Sequence, residues 1–536
     1  MNKKPSIKTT ALVFFTFLFF SFSFLPCLAQ CIRPNQEANL DINNIRALIK
    51  NNGTLFFQER SEFEVPKGSG KTSYFSASLW LGGMDEQNNL HLAAMRYGQI
   101  GNDFWTGPVS NDQADAGSFY NKVYKITKEE VENHKANYAE IGYMPPSSIL
   151  NWPAHGRTEY SESFNLAPYV NVSGNSSYSP FEGDYPLIRG DQALFFVLND
   201  VCNTHSETQG KSVGIEILCM AYAYNTPDSA LQHTIFFSYE IRNKSTNNYK
   251  DFYLGWFSDF DIGYGSDDYI GCDSLLNLSY GYNGTEIDGS GEFWAYGAHP
   301  PAQGAMFLNK KMSSFTYFNN SGTNSGDPRY ANEYYNCLQG KWKDGIPLTY
   351  GGTGYNIEST AYTNFAFSGD PVTATGWTEI MPNGPGSTPN TPDDRRGVMS
   401  AGPYNFPAGG KIVIDLALPW ARDYEGNNIA SVALLKQRAK EIQDFYDKVI
   451  VDVKENTTIS NGNLLIYPNP SNGCFTFNSE MLIENIELYD VLGKKLFSDT
   501  PKVQTTQINT QLPKGLYIYR VTLQNNSIRS GKIIVQ

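Results

Sequence analysis

Short runs rich in aromatic and β-branched residues dominate the chain, and they predict β-strands. Six such runs stand out between residues 30 and 454: 73–81, 193–198, 213–224, 234–242, 252–257 and 411–418. We therefore predict a mainly β fold, with a large β-sandwich-rich body of one or two subdomains.

Three segments carry helix signals instead. Asp41 is placed to cap a short helix over 42–50, and Thr127 with Glu130 forms a capping box before another, with Ile126 and Val131 as its hydrophobic staple. The clearest helix spans about 429–449, with Asn428 as its predicted cap. Its apolar stripe, which predicts packing against the sheet core, consists of Val432, Leu435, Ala439, Ile442 and Tyr446.

The last stretch, 464–536, has a pattern of its own. Short alternating runs are separated by turn residues, with strands expected at 464–467, 474–477, 486–488, 495–497, 506–510, 515–523 and 528–535. Pro468 and Pro470 cannot donate hydrogen bonds to a sheet, so they are expected at a strand end or a sheet edge. About seven short strands in so few residues predict a small C-terminal β-sandwich.

Four motifs in this stretch occur in a recognisable order: YPNP, ELYDVLGKKL, LPKGLYIYRV and GKIIV. Together they resemble the type A C-terminal sorting domain of the type IX secretion system. That resemblance implies export across the outer membrane of a Gram-negative bacterium by the type IX machinery. It further implies removal of the domain by a cell-surface sortase, followed by anchoring to lipopolysaccharide or by release.

The opposite end of the chain has the layout of a secretory signal peptide. Lys3, Lys4 and Lys8 precede an apolar run over 11–25, and Ala29 offers a small residue for cleavage. Residues 28–31 faintly resemble a lipoprotein box, but Gln30 is a poor residue before a lipidated cysteine, so we expect ordinary cleavage. The predicted organisation is a signal peptide over 1–29, a secreted body over 30–454, a polar linker over 455–463 and the sorting domain over 464–536.

Composition agrees with a secreted β-protein. The net charge is −13, which argues against nucleic acid as a partner. Charged residues make up only 18% of the chain while aromatic residues reach 14%, against about 25% charged residues in ordinary globular proteins. Six cysteines follow the signal segment without zinc-site spacing. Disulfides are expected in this compartment, but the sequence does not determine their pairing.

The body also contains longer distinctive segments, among them EVPKGSGKTSYFSASLWLGG, EGDYPLIRGDQA and FDIGYGSDDYIGCD. These resemble a recurrent, uncharacterised body of large type IX-secreted surface proteins. The resemblance implies a class of protein and adds no chemistry.

One acidic stretch is the best candidate for a metal site. The sequence SDFDIGYGSDDYIGCD, residues 258–273, places five carboxylates around glycine-rich turns: Asp259, Asp261, Asp267, Asp268 and Asp273. Calcium takes about six to eight oxygen ligands from carboxylates and carbonyls, and converging carboxylates would repel one another without a cation. The spacing does not match an EF-hand, and acids that simply cap turns are the alternative. We predict calcium here.

A second loop, 171–184, has the outline of a calcium loop in which only Glu182 and Asp184 keep a charge. We interpret it as a structural turn. The segment 210–214 matches the Gly-x-Ser-x-Gly motif of a hydrolase nucleophile elbow. That elbow requires a strand before the serine and a helix after it, whereas here a polar loop precedes and a predicted strand follows, so we do not interpret the segment as a nucleophile site. No catalytic residue is predicted.

Two functions remain open. We favour a non-enzymatic, calcium-stabilised surface protein that binds an unknown extracellular ligand or mediates adhesion. The alternative is a secreted hydrolase that uses paired carboxylates such as Glu182, Asp184 or Asp268, since glycosidase chemistry requires two carboxylates about 5–10 Å apart. Acids around one ion-sized gap would favour the first function, whereas a concave pocket with two facing carboxylates and tryptophans would favour the second.

Overall fold

A computed structural model describes residues 31–320, 322–450, 464–469, 471–490, 494–524 and 528–535. The predicted signal peptide and linker lie outside these residues. The strands of the body are β1 (Glu37–Leu40), β2 (Arg46–Lys50), β3 (Phe63–Glu64), β4 (Ser76–Met84), β5 (Leu90–Ala93), β6 (Trp105–Thr106), β7 (Tyr124–Thr127), β8 (Tyr169–Val170), β9 (Tyr185–Pro186), β10 (Gln192–Asn199), β11 (Ile215–Ala223), β12 (Thr234–Asn243), β13 (Tyr249–Phe260), β14 (Asp268–Asp273), β15 (Leu278–Asn283), β16 (Ile287–Asp288), β17 (Gly297–Ala298), β18 (Ala302–Phe307), β19 (Ser314–Asn319), β20 (Arg395–Phe406) and β21 (Lys411–Ala421).

The helices are α1 (Gln113–Phe119), α2 (Lys128–Asn137), α3 (Ser147–Leu150), α4 (Ser229–Gln232), α5 (Ala331–Leu338) and α6 (Asn428–Phe445). Three 3₁₀ turns, Thr158–Tyr160, Pro180–Glu182 and Gly265–Asp267, and a π-helical turn, Tyr446–Ile450, complete the helical elements of the described body. The predicted mainly β class is confirmed.

Two antiparallel sheets form the centre of the body. The larger has the order β14-β15-β18-β21-β12-β11-β10-β6, with β7 also paired to β10, and the smaller has the order β19-β20-β13-β4-β5. Strand β10 shows how they pack: Leu194 and Phe196 lie in the core shared with Leu79 and Trp256 of the smaller sheet. Every residue of β10 is buried, which explains the uninterrupted apolar run over 193–198.

Helices cover the two outer faces. On the larger sheet, the other face of β10, including Phe195, packs in one cluster with Val432 and Leu435 of α6. On the smaller sheet, Trp80 and Phe257 pack against Tyr334 of α5. The result is a sandwich of two sheets with a helical layer on each side.

The helix predictions had mixed outcomes. The Thr127 capping box is present in full at the start of α2, and all five stripe residues of α6 are buried, with Asn427 in place of Asn428 as its cap. The helix predicted over 42–50 is wrong. Residues 46–50 form β2, which pairs with β1 and β3. Leu48 and Ile49 of this strand are both buried. Here the tertiary pairing of the strand overrides the local helix signals.

The terminal module consists of β22 (Leu464–Tyr467), β23 (Cys474–Tyr489), β24 (Lys495–Asp499), β25 (Val503–Asn509), β26 (Gly515–Leu523) and β27 (Ile528–Val535). Two of the predicted strands, 474–477 and 486–488, are parts of the one long strand β23. Its first half pairs with β22 and β25, and its second half with β24 and β26. The module has its own core, which includes Phe475, Phe477, Ile486 and Leu488.

A disulfide joins Cys31 to Cys202 across 171 residues. Four other described cysteines are free: Cys219, Cys272, Cys337 and Cys474. The bond ties the first described residue to the segment that follows β10.

We expect the Cys202→Ser variant to lose about 2–4 kcal/mol of unfolding free energy, because a cross-link over a long loop restricts the unfolded chain. Guanidinium unfolding of the protein beginning at Cys31 measures this. Cys474→Ser, which removes a free thiol, is the matched control and should leave stability nearly unchanged. Equal stability of Cys202→Ser and the parent, or alkylation of Cys31 in the unreduced denatured protein, would contradict the assignment.

Candidate metal centre

The acidic cluster lies where β13 ends and β20 begins. In this antiparallel pair, Asp259 lies opposite Arg396, and Phe260 opposite Arg395. Asp394, immediately before β20, therefore comes beside Asp261, which follows β13. Asp259, Asp261 and Asp394 each offer a carboxylate oxygen, and these three oxygens lie within 4.8 Å of one another.

Asp259 is almost fully buried, with 1% of its surface exposed. Its Oδ2 accepts a hydrogen bond from the Tyr97 hydroxyl at 2.6 Å and lies 3.3 Å from Arg396 Nε. Its Oδ1 is buried and has no hydrogen-bond partner among the described residues. A buried carboxylate oxygen without a donor is costly in a protein unless a cation faces it.

Two further carboxylates repeat this arrangement. Asp394 Oδ2 accepts from Arg396 Nη2 at 2.8 Å, and Asp327, from the loop before α5, places Oδ2 3.3 Å from Arg96 Nη1. In the described chain, the Oδ1 atoms of both Asp394 and Asp327 are buried without a hydrogen-bond partner. One oxygen of each carboxylate is thus held by an arginine, and the other accepts no hydrogen bond, although Asp327 Oδ1 lies 4.0 Å from Arg396 Nε.

The aspartates of this cluster outnumber the arginines that pair with them. Burial raises the pKa of Asp259 to about 7 against the opposing effect of Arg396. Burial, with Asp259 and Asp394 nearby, raises the pKa of Asp261 well above its usual range, and burial raises that of Asp394. Four aspartates face two arginines here, and one of these, Arg96, also pairs with Glu207 at 3.4 Å.

The sequence-predicted residues separate in space. Asp259 and Asp261 converge, and a Cβ at position 265 would collide with Asp261 Oδ1, so the glycine there permits the approach of that carboxylate. Asp267 and Asp268 lie in the next turn, where they accept backbone hydrogen bonds from Gly289 at 3.0 Å and Ile262 at 2.9 Å.

Asp273 is at the far end of β14. It caps the turn through the amides of Leu275 and Leu276 and pairs with Lys436 Nζ at 3.2 Å. The three-oxygen cluster therefore contains two of the five predicted residues and gains Asp394, which the sequence analysis missed. The run Asp393-Asp394-Arg395-Arg396 before a strand was the available signal, but the pairing of β13 with β20 was not readable from it.

The carboxylates named for a hydrolase are in different settings. Asp184 is fully buried and accepts hydrogen bonds from the amides of Val172, Ser173 and Ser179, so it closes a turn as expected. Glu182 accepts from the side-chain amide of Asn175. A sugar-binding cleft would also require accessible tryptophans; Trp294 is exposed, whereas Trp152, Trp342 and Trp377 are buried.

The terminal module also matches a known family. Residues 465–536 match the family model described as secretion system C-terminal sorting domain. This terminal module is a sorting domain. The match confirms the resemblance identified from the sequence for this part of the chain, and it supports export as a type IX substrate. This match does not test the resemblance noted for the body.

None of the curated proteins compared with the chain matches it. Among solved structures, CopC from Methylosinus trichosporium OB3b is similar with a TM-score of 0.11 and 17% identity, covering 14% of this chain and 85% of CopC. A polysaccharide lyase is similar with a TM-score of 0.18 and 8% identity, covering 61% of this chain and 34% of the lyase. Scores this low support no conclusion about fold or activity.

Within the described residues, no helix combines the length and apolar character needed to cross a bilayer.

We expect Asp261→Asn to raise the melting temperature of the metal-free protein by a few degrees at pH 8. The folded-state pKa of Asp261 is raised, so its ionised form costs stability above its unfolded-state pKa, and the neutral amide removes that cost. Thermal unfolding in EGTA measures the change. Asp444→Asn, on the exposed face of α6, is the matched control and should have little effect; a lower melting temperature for Asp261→Asn would contradict the electrostatic account.

Proposed function

We propose that the chain is a non-enzymatic surface or secreted protein that binds an extracellular ligand or mediates adhesion, with a calcium ion stabilising its body. The sorting domain at 465–536 supports export as a secreted or cell-surface protein. Once outside, the protein interacts with the cell-surface sortase and is either anchored to lipopolysaccharide or released.

The geometry of the carboxylates supports this function over hydrolysis. Three carboxylate oxygens lie within 4.8 Å of one another, close enough for a single cation to contact all three, and the Oδ1 atoms of Asp259 and Asp394 are buried without a hydrogen-bond partner among the described residues. A glycosidase needs one carboxyl to donate a proton and a second to act as nucleophile or base across a sugar-sized space. Asp184 and Asp268 are fully buried, so neither has the access that this chemistry requires.

Calcium is the cation that the donor set fits. All candidate ligands are hard carboxylate oxygens without histidine or cysteine, which suits calcium better than zinc or copper. The extracellular space is also where a protein finds calcium at a concentration that suits weak sites, about 10⁻⁴–10⁻³ M. We assign the ion to Asp259, Asp261 and Asp394, with Asp327 beside them.

Removal of residues 464–536 should leave the protein in the periplasm of a bacterium that has a type IX system, because the machinery would lose the domain it recognises. Fractionation and protease treatment of whole cells measure where the body is. As the reciprocal control, residues 464–536 fused to a periplasmic reporter should bring that reporter to the surface. Surface display of the truncated protein would refute the export route.

Calcium should raise the melting temperature of the protein, since a ligand that binds only the folded state stabilises it by about 2.7 kcal/mol at 100 times its Kd. Differential scanning fluorimetry with calcium or EGTA measures the shift. Asp394→Asn should abolish it, whereas Asp273→Asn, outside the cluster, should retain it. No shift in the parent protein would overturn the calcium assignment, and a loss confined to Asp268→Asn would move the ion to the neighbouring turn.

A further inference from the structure

One histidine in the core of the body has a hydrogen-bond acceptor on each side of its ring. The side chain of His205 is fully buried. Its Nδ1 lies 2.8 Å from the backbone carbonyl oxygen of Leu92, and its Nε2 lies 2.9 Å from that of Asp200. Because a carbonyl oxygen only accepts hydrogen bonds, both ring nitrogens must donate, and only the imidazolium cation has a hydrogen on each nitrogen.

Two buried carboxylates balance the charge of this cation. Asp103 Oδ2 lies 3.6 Å from the ring's Nδ1, Asp200 Oδ2 lies 3.6 Å from its Nε2, and both side chains are fully buried. Asp200 accepts hydrogen bonds from the backbone N–H groups of residues 213–215. Asp103 accepts from those of Glu207 and Thr208 and from the Thr208 hydroxyl. These donors favour the ionised form of both carboxylates, so the ring has a negative charge on each side.

Two other histidines show the neutral arrangement. His134 Nε2 donates to the carbonyl of Asp184 at 3.1 Å, and His155 Nδ1 donates to that of Phe164 at 3.2 Å. In each, the second ring nitrogen is buried without a hydrogen-bond partner among the described residues. Burial lowers the pKa of both rings. Burial alone therefore does not give a ring two acceptors in this protein, and the pair of acceptors at His205 indicates its charge.

The balance of charge around His205 depends on its proton. Burial raises the pKa of Asp103, and the charge of His205 opposes that effect. The neighbouring carboxylate of Glu207 lies 3.4 Å from Arg96 Nε and accepts from the Tyr334 hydroxyl, also at 3.4 Å. A neutral ring would leave the two aspartates buried without a positive charge between them. It would also turn a nitrogen lone pair toward a carbonyl oxygen, and both effects are costly in the interior.

This contact joins the two sheets of the body. His205 lies in the connection 200–214 between β10 and β11 of the larger sheet, whereas Leu92 belongs to β5 of the smaller sheet. The same connection contains Cys202, which is bonded to Cys31. Hydrogen bonds from a charged donor are roughly twice as strong as those between neutral groups. The imidazolium therefore holds the connection to the smaller sheet more firmly than a neutral ring would.

We propose that His205 is a buried imidazolium, and that loss of its proton at alkaline pH releases the connection 200–214 from the smaller sheet. A histidine in an unfolded chain is largely neutral above about pH 7.5, so the folded protein there binds one more proton than the unfolded chain. The stability that this group contributes is fully present at acidic pH, and it is lost as the pH rises and the folded ring gives up its proton. In a secreted or cell-surface protein, this contact responds to the pH of the surrounding medium.

Nitrogen NMR of the purified protein with isotope-labelled histidine measures the charge of the ring. At about pH 8, where an exposed histidine is neutral, we expect both ring nitrogens of His205 to give the signals of protonated nitrogen. The His205→Gln variant assigns these signals by their loss. His155, with one protonated and one bare nitrogen, is the internal control. A bare ring nitrogen at His205 would overturn the proposal.

Backbone hydrogen exchange followed by mass spectrometry measures the release. Between about pH 7 and pH 10, after correction for the intrinsic pH dependence of exchange, we expect protection of 200–214 to fall at least tenfold while that of β12 is retained. His205→Gln, whose side-chain amide donates from a single nitrogen, should have low protection of 200–214 at both pH values, and His155→Gln should behave as the parent. Unchanged protection of 200–214 in the parent refutes the release, whether or not His205→Gln folds. An equal loss in β12 also refutes it, because the whole body would then have unfolded.

Discussion

The antiparallel pairing of β13 with β20 is the constraint on which the site depends. It places Arg396 opposite Asp259, and so puts Asp394 beside Asp261 although 133 positions separate them in the numbering. The same pairing lies at the centre of the smaller sheet, whose inner face shares a core with the larger one. The chemistry of the cluster is therefore supported by the packing of the whole sandwich, and a shift of register in this pair would disperse the carboxylates.

The arginines make this arrangement tolerable. Arg396 contacts Tyr97, Asp259 and Asp394, and Arg96 bridges Asp327 and Glu207. Arg396 lies at one oxygen each of Asp259 and Asp394, and these two residues offer oxygens to the three-carboxylate cluster. Buried charges of one sign are stable only when they are paired or bind a metal. Here the pairing is incomplete, because none of the described arginines forms an ion pair with Asp261.

Local pattern was sufficient for much of the fold. Runs such as 234–242 became strands at nearly the predicted bounds because aromatic and β-branched residues fit a buried pleated surface. The stripe of α6 and the cap of α2 were also readable, since each depends on residues within one or two turns. Residues 46–50 were misread because their strand state depends on β1 and β3, and the continuity of β23 was missed because local turn residues gave no sign of its partners.

The site was only half readable for the same reason. Sequence proximity suggested that Asp267, Asp268 and Asp273 would join Asp259 and Asp261, but a strand and a tight turn carry them apart and supply them with amide donors or Lys436. Asp394 and Asp327 come from segments that only long-range sheet pairing brings close. Spacing along the chain reports ligands within one loop, whereas this cluster is assembled from three segments.

The bond between Cys31 and Cys202 also limits how far the body can open. It joins the first described residue to the segment after β10, a strand that pairs with β11 and β6. With a sequence separation of 171 residues, the bond closes a long covalent loop whose two ends stay together even when the strands between them separate. An opened body is therefore more compact than a chain without the cross-link would be.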